Sequence, residues 1–323
     1  MEKHPITVIV PCYNVEKYVE KSLKSLLDQT YKNLKIIAID DCSTDNTYKI
    51  IEKIAKENQE KIEIYQNEQN KGLAYTRNRG IKLAQTEYIG FIDSDDYVDN
   101  NYFEELMKAI IEKQADVAIA DMLLVDEKGE ELAPVQTGIN LAIKDIKEAT
   151  IDNGLSASAC NKLFEKSLIE KYLFPEGKVN EDIAAVIPTI LHADKIAYTG
   201  EVKYYYVQRK KSIQNSEFSE RRYDIIDSVE LTLDRIKDVE KYEIYSAIIL
   251  YHQILMLYVY VITALKGFKT RQKYLKMFIQ RESKLRVENT GAVPKYLNTR
   301  GKLRKNILVY CNKIIKTKIS NTY

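Results

Sequence analysis

The sequence lacks the cysteine patterns that build disulfide frameworks or zinc sites. Its 323 residues include four cysteines, Cys12, Cys42, Cys160 and Cys311, and no two of them form a CxxC pair. Scattered thiols of this kind are typical of small buried side chains. We therefore expect neither a disulfide-stabilised secreted domain nor a cysteine-bound metal.

Histidine is scarce, tryptophan is absent, and the N-terminal segment has no long apolar run. The three histidines, His4, His192 and His252, lie far in sequence from the acidic segment described below. If the protein needs a general base there, we expect a carboxylate. The opening residues MEKHPITVIVP do not form a signal peptide, so we expect a cytosolic location.

The charges are unevenly distributed along the chain. The formal net charge is +2, yet residues 266–323 contain 16 Lys and Arg against two acids, and residues 1–265 contain 33 basic against 45 acidic residues. An acidic body with a basic tail predicts an anionic surface as the partner of the tail.

The first 125 residues alternate between apolar strand patterns and amphipathic helix patterns. We predict buried strands at residues 6–10, 34–39, 62–66, 88–92 and 117–124. Helices are predicted between them, with Asn14 as the cap of the first. This alternation is typical of an α/β fold with a mostly parallel sheet flanked by helices.

An acidic cluster follows the strand YIGFI, where Asp93, Asp95 and Asp96 lie within four residues. Clustered carboxylates repel one another, so a cation or a set of donors is expected to neutralise them. Oxygen ligands of this kind suit Mg²⁺ or Mn²⁺ shared with a substrate phosphate. A solvated acidic turn is the alternative. Polar residues also end the first two strands, and strand ends of this kind bind ligands in such sheets, which favours the metal.

Five motifs in order resemble family-two inverting glycosyltransferases, which have the GT-A fold. They are VIVPCYN through IDDCSTDNT, NKGLAYTRNRGI, YIGFIDSDDYV, SACNKLFEKSLIEKYLFPEGKVNEDIAAV, and YYYVQRKKSIQNS. Together they span roughly residues 5–215. The resemblance implies a Rossmann-like GT-A domain over residues 1–216, with a nucleotide-sugar half (about 1–100) and an acceptor half (101–216). A helical region with a basic tail, residues 217–323, would follow.

The resemblance also implies roles for particular residues. Residues expected to contact the nucleotide-sugar donor are Pro11, Tyr13, Asn14, Asp40, Asp41, Arg77, Asp93, Ser94, Arg209 and Ser212, with Asp41 facing a uracil-type base and Asp40 close by. Arg77 would approach the diphosphate or help to position the acidic loop. Residues expected to hold Mn²⁺ or Mg²⁺ are Asp93, Asp95 and Asp96. The expected general base is Asp182, with Glu181 as the second choice.

The chain departs from the family pattern at two places. Cys42 stands where members often carry glycine, which leaves the geometry of that turn open. Ala159 and Cys160 stand where a tryptophan often occurs, so acceptor stacking would fall to some of the 24 tyrosines.

The implied activity is transfer of a hexose or N-acetylhexosamine, most often UDP-linked in this family, to a hydroxyl of a glycan or lipid-linked oligosaccharide. A non-catalytic nucleotide-sugar or partner-binding module is the alternative. A phosphoacceptor receiver domain is disfavoured by the second acidic cluster and by the length of the chain. Asp182 could also be an acid that favours a helix N-terminus.

The C-terminal third predicts helices with two open interpretations. Residues 244–265 contain no charged side chain, and we favour a buried bundle helix over a membrane span. Residues 302–319 form a basic amphipathic pattern, typical of a peripheral membrane helix or of a solvated bundle helix. No recognition motif supports nucleic acid as a partner, and the sequence does not predict the oligomeric state.

Overall fold

A computed structural model of the chain describes residues 4–135, 157–209, 221, 224–242, 245–246 and 249. Most of the charge-free stretch 244–265, all of the basic pattern 302–319, and Ser212 lie outside the described residues. The helices of the described part are α1 (Val19–Leu27), α2 (Thr47–Glu57), α3 (Leu73–Leu83), α4 (Tyr102–Lys113), α5 (Lys166–Ile169), α6 (Glu181–His192) and α7 (Asp224–Arg235). None of the helices in these described segments is long and apolar enough to cross a membrane.

Nine strands of the described residues form one sheet. They are β1 (Ile6–Cys12), β2 (Leu34–Asp40), β3 (Ile62–Gln66), β4 (Tyr88–Phe91), β5 (Tyr97–Val98), β6 (Val117–Val125), β7 (Glu131–Val135), β8 (Lys162–Glu165) and β9 (Ile196–Val207). The order is β3-β2-β1-β4-β8-β6-β9-β5, with β7 paired to β6.

The first four strands form one block of the sheet, in the half of the domain that is predicted to bind the nucleotide sugar. They lie in the order β3-β2-β1-β4 and pair with one another in parallel. β1 and β4 are buried along their whole length, as expected for strands covered on both faces. The order reverses between β1 and β4, which is where ligands bind in sheets of this kind.

The rest of the sheet is mixed, and this corrects the expectation of a mostly parallel sheet. β8 runs antiparallel to both β4 and β6, while β9 runs parallel to β6 and antiparallel to β5. Four of the eight strand pairings are therefore parallel. The α/β class and the helices packed on the sheet are confirmed.

The predicted element bounds are close to those observed, except at the first helix. The segment after β1 forms turns, and α1 begins at Val19 with no side-chain cap. Asn14 instead accepts a hydrogen bond at Oδ1 from the backbone N–H of Thr44 (2.8 Å). The prediction that Asn14 caps the helix was therefore wrong, because its side chain joins the loops after β1 and β2.

A glycine brings α3 close to the sheet. A Cβ at Gly80 would lie 2.4 Å from Ile9 Cγ2, so a larger residue would push α3 away from β1. Arg77 lies one turn earlier in α3 and forms an ion pair with Asp93 in the loop that follows β4.

The chain divides into two compact units, residues 1–240 and 241–323. The first contains every strand and helix given above. Its last helix, α7, packs on α6, and Arg235 donates hydrogen bonds to the carbonyls of Leu173 (2.9 Å) and Ala184. The domain boundary near residue 216 stays a prediction.

Candidate active site

The acidic loop after β4 is held against β9 by its last carboxylate. Asp96 is 1% exposed and accepts hydrogen bonds from Tyr204 Oη (2.6 Å) and from the backbone N–H of Val207 (2.8 Å). Tyr204 also accepts a hydrogen bond from the N–H of Asp93 (3.2 Å). Burial, followed by the charges of Asp95 and Asp93, raises the pKa of Asp96. Both oxygens of Asp96 thus bind the protein itself.

Asp93 and Asp95 are the more accessible carboxylates of this loop. Asp93 pairs through Oδ1 with Arg77 Nη2 (2.9 Å), and Asp95 pairs through Oδ2 with Arg209. Each carboxylate keeps a second oxygen that these ion pairs do not occupy. Burial, together with the neighbouring Asp93, raises the pKa of Asp95 to about 6, although Arg209 opposes the shift.

Two such carboxylates fit a divalent ion that is shared with a substrate. Among the described residues no group of three or more His, Cys, Asp or Glu side chains could hold a metal alone. Mg²⁺ in nucleotide sites usually takes one or two carboxylates and completes its coordination with phosphate oxygens and water. Asp93 and Asp95 therefore have the donor chemistry for a hard cation bound together with a diphosphate.

Arg77 connects the acidic loop to the start of α6. Its side chain is 1% exposed, and Nη2 contacts Asp93 while Nη1 contacts Glu181 Oε1 (3.1 Å) and Asp182 Oδ1. The guanidinium carbon lies 5.4 Å from the centroid of the Phe174 ring. Arg77 thus forms ion pairs with three carboxylates and contacts the acidic loop through Asp93.

Glu181 and Asp182 begin α6 and differ in accessibility. The side chain of Asp182 is 24% exposed and that of Glu181 10% exposed. Burial and the charge of Asp182 raise the pKa of Glu181 to about 7. Burial also raises the pKa of Asp182, but Arg77, Lys162 and a hydrogen bond from the Ala159 N–H oppose this. Of the two, Asp182 is the more exposed and has more neighbours that favour the ionised form.

The ends of β1 and β2 carry other residues that are predicted to contact the donor. Pro11 is buried within β1, Asn14 joins the loop after β2, and Tyr13 is 46% exposed. Ser94 is buried, and the Cys12 thiol donates a hydrogen bond to the Val10 carbonyl (3.4 Å).

The paired acids at the end of β2 organise a neighbouring loop. Asp41 accepts hydrogen bonds from Asn67 Nδ2 (2.7 Å) and from the N–H groups of Lys71 (2.9 Å) and Gly72 (2.7 Å). Asp40 accepts hydrogen bonds from the Ser43 N–H and from Gln66. Both side chains are almost fully buried, and their predicted contact with the base of a donor stays a prediction.

Arg209 follows β9 and contacts the acidic loop. Besides pairing with Asp95, its guanidinium carbon lies 5.1 Å from the centroid of the Tyr18 ring. Its predicted neighbour Ser212 lies outside the described residues. The structure thus brings Asp93, Asp95, Arg77, Glu181, Asp182 and Arg209 to the same end of the sheet.

Two residues of this region were not predicted from the sequence. Tyr204 anchors the acidic loop, but it sits in a run of three tyrosines that gives no signal of its role. Lys162 is 1% exposed in β8, and burial lowers its pKa to about 7. The signal for Lys162 was present, because a lysine within the apolar run ACNKLF is unusual for a buried strand.

Comparison with known proteins gives a consistent result. The family model described as glycosyl transferase family 2 matches residues 7–173. Glycosyltransferase GlyG of Streptococcus pneumoniae is 30% identical over 272 residues, which cover 77% of this chain and 90% of GlyG. Glycosyltransferase GlyA of the same organism is 33% identical over 218 residues, which cover 64% of this chain but 31% of GlyA. This chain therefore spans less than a third of one relative and nearly all of the other.

A solved structure shares the fold. TarS from Staphylococcus aureus, in complex with UDP-GlcNAc, aligns with a TM-score of 0.69 over 86% of this chain and 81% of that chain, at 23% identity.

Proposed function

Because this chain belongs to glycosyl transferase family 2, we propose that it transfers a sugar from a UDP-linked donor to a hydroxyl group of a glycan. The family and the fold shared with TarS support a nucleotide-sugar donor. The finer parts of the proposal are the UDP group, a hexose or N-acetylhexosamine as the transferred sugar, and a glycan or lipid-linked oligosaccharide as the acceptor.

One observation carries the proposal: Arg77 pairs with Asp93 on one side and with Asp182 and Glu181 on the other. Group transfer between two substrates needs a donor-binding group and a base held in fixed relation. A single buried guanidinium that contacts both sets of carboxylates meets this requirement. A binding module would need only the donor side.

We assign Asp182 as the general base. The acceptor hydroxyl oxygen would form a bond to the anomeric carbon as its proton passes to the Asp182 carboxylate. The bond between that carbon and the phosphate oxygen breaks, and its electron pair leaves with the nucleoside diphosphate. Attack opposite the leaving group inverts the anomeric centre, as the family resemblance implies. Arg77 holds the carboxylate in place, and Glu181, with its pKa raised to about 7, is the second choice.

Asp93 and Asp95 are the residues that we propose to hold Mn²⁺ or Mg²⁺. When bound, such an ion stabilises negative charge that develops on the leaving diphosphate. Asp96 binds Tyr204 and Val207 instead, so we propose it as an anchor of the loop rather than as a ligand. Pro11, Tyr13, Asn14, Asp40, Asp41, Ser94, Arg209 and Ser212 remain proposed donor-site residues.

We further propose a two-part organisation and a peripheral location. Residues 1–216 would form the catalytic GT-A domain, and residues 217–323 a helical region whose basic tail binds anionic lipid on the cytoplasmic face of the membrane. A lipid-linked acceptor would account for such a tail. The support is the net charge of +14 after residue 265.

The test measures hydrolysis and transfer over a panel of nucleotide sugars with Mn²⁺, Mg²⁺ or EDTA. We expect EDTA to abolish turnover and Asp95→Ala to lose metal-dependent donor binding while the protein stays folded. Asp99→Ala is the matched control, because Asp99 follows the same loop but binds the Lys203 N–H and Tyr205 Oη. Full turnover in chelator would overturn the metal assignment, and donor binding without any transfer would favour the binding module.

A further inference from the structure

Lys162 is a buried lysine that the proposed reaction does not use. It lies in β8 between β4 and β6 and is 1% exposed. Its Nζ donates hydrogen bonds to the Ser158 carbonyl (2.6 Å) and to Asn161 Oδ1 (2.8 Å). Lysine is almost never fully buried unless it has a partner, because removing its charge from water is costly. A hydrophobic residue would fill this strand position without that cost.

Both acceptors of Lys162 belong to the segment 158–161, which lies beside the proposed base. The backbone N–H of Ala159 lies near the Asp182 carboxylate and favours its ionised form. The next residue, Cys160, contacts Arg77 Nη2 through its sulfur (3.6 Å). Lys162 therefore fixes the short segment that contacts Arg77, the arginine that pairs with Asp182.

We propose that Lys162 is a positioning residue for Asp182, which it serves by holding in place the segment 158–161 that contacts Arg77, the partner of Asp182. This inference rests on the proposed function, because it presumes that Asp182 accepts the proton.

The charged groups around Asp182 determine the direction in which its pKa changes when Lys162 is replaced. Arg77 on α3 and Lys162 on β8 favour the ionised form of Asp182, whereas Asp93 in the loop after β4 opposes it. Glu181, the neighbour of Asp182 on α6, also pairs with Arg77, and the sulfur of Cys160 contacts Arg77. Removing the positive charge of Lys162 should raise the pKa of Asp182, so that the base becomes protonated at a higher pH.

The first experiment compares Lys162→Met with Lys166→Met, which also removes a hydrogen bond from Nζ to a carbonyl, that of Ala84 (2.7 Å). We expect Lys162→Met to move the acid limb of the kcat/KM profile upward by about one pH unit, the size of shift that one nearby charge produces. Donor KM at the optimum should stay unchanged. Lys166→Met should leave the profile in place. An unmoved acid limb in folded Lys162→Met would overturn the proposal.

The second experiment needs no enzymatic activity. Unfolding is measured for Lys162→Met, Asp182→Asn and the double variant, with Lys166→Met and Asp182→Asn as the control pair. We expect the double variant at 162 and 182 to lose less stability than the two single losses combined, and the control pair to be additive. If the stability losses are additive in both pairs, the proposal is wrong whether or not the protein transfers a sugar. If the losses at 162 and 182 are coupled but the protein transfers no sugar, only the proposed function is contradicted.

Lys162→Arg extends the test if the methionine variant does not fold. It retains the positive charge, and the acid limb should stay where it is in the unmodified protein. If neither variant folds, Lys162 is a structural residue and the proposal is wrong.

Discussion

At the scale of single residues, Asp182 and Glu181 are adjacent carboxylates that share one arginine, yet their environments differ. Asp182 is the more exposed and has the Ala159 N–H, Arg77 and Lys162 to favour its ionised form. Glu181 is more buried, with its pKa raised to about 7. Two acids whose environments differ in this way commonly take different roles in catalysis.

We predict that Asp182→Asn lowers sugar transfer by roughly 10²-fold or more, because the amide cannot accept a proton. Donor affinity should change little, since the group acts on the acceptor. Transfer rate and donor affinity are measured separately, with Glu181→Gln as the matched control that should retain most of the rate. A larger loss in the control would transfer the role of base to Glu181.

Cys42 adopts a backbone conformation that glycine accommodates better. Its φ of 61° lies in the left-handed region, where the Cβ of an ordinary residue costs about 1–2 kcal/mol. We predict that Cys42→Gly raises the free energy of unfolding by about 0.5–1 kcal/mol, the strain relief being offset in part by the greater freedom of glycine in the unfolded chain. Urea unfolding measures this. Cys42→Ala keeps the Cβ and should give no gain, and an equal gain in both variants would show that the thiol causes the effect.

The sequence motifs indicated which residues to consider as a site, but not the hydrogen bonds that these residues form. They named Asp93, Arg77 and Asp182, and the structure joins these three side chains by ion pairs. They could not show that Asp96 binds Tyr204, which lies 108 residues away in the chain. A sequence pattern reports local chemistry, whereas the partners of a buried carboxylate depend on long-range packing.

At the scale of elements, hydrophobic periodicity predicted the parallel strands and their helices well. β2, β4 and β6 lie within one residue of their predicted bounds, because strands buried on both faces give continuous apolar runs. β5, with two residues, and β8, with four, are too short to give a periodic signal. The antiparallel pairings of β8 therefore had no counterpart in the sequence analysis.

β9 is the element that joins the acidic loop to the second half of the sheet. We predict that Tyr204→Phe lowers the free energy of unfolding by about 1–3 kcal/mol, because buried Asp96 loses its hydroxyl donor. Metal-dependent donor binding should weaken, since the loop is then held less firmly. Tyr205→Phe, which loses a hydrogen bond to Asp99 (2.9 Å), is the control and should bind donor normally. Calorimetry measures the stability and donor titration measures the binding. If Tyr204→Phe binds the donor normally, the anchoring of the loop by Tyr204 does not affect donor affinity.

At the scale of the whole molecule, residues 1–265 carry a net negative charge and residues 266–323 a net positive charge, so the two parts are expected to bind different partners. The compact unit of residues 1–240 contains the proposed active site, and 16 basic residues lie after position 265. A charged segment of this kind attracts anionic lipid with about 1 kcal/mol for each Lys or Arg held near the headgroups. The attraction is screened by salt, so binding is expected to weaken steeply as ionic strength rises.

We predict that the full chain binds vesicles of anionic lipid at low salt, and that a chain ending at residue 298 does not, while both hydrolyse the donor. The matched variant changes Lys302, Lys305, Lys313 and Lys316 to Gln, which removes the charges of one predicted helix face and keeps its apolar residues. Its vesicle binding should fall towards that of the shortened chain, because charge rather than length supplies the attraction. Vesicle sedimentation over a series of salt concentrations measures this. Equal vesicle binding by all three chains would overturn the membrane proposal. If the shortened chain loses donor hydrolysis, the final segment is needed for the folded protein and its basic face is only solvated.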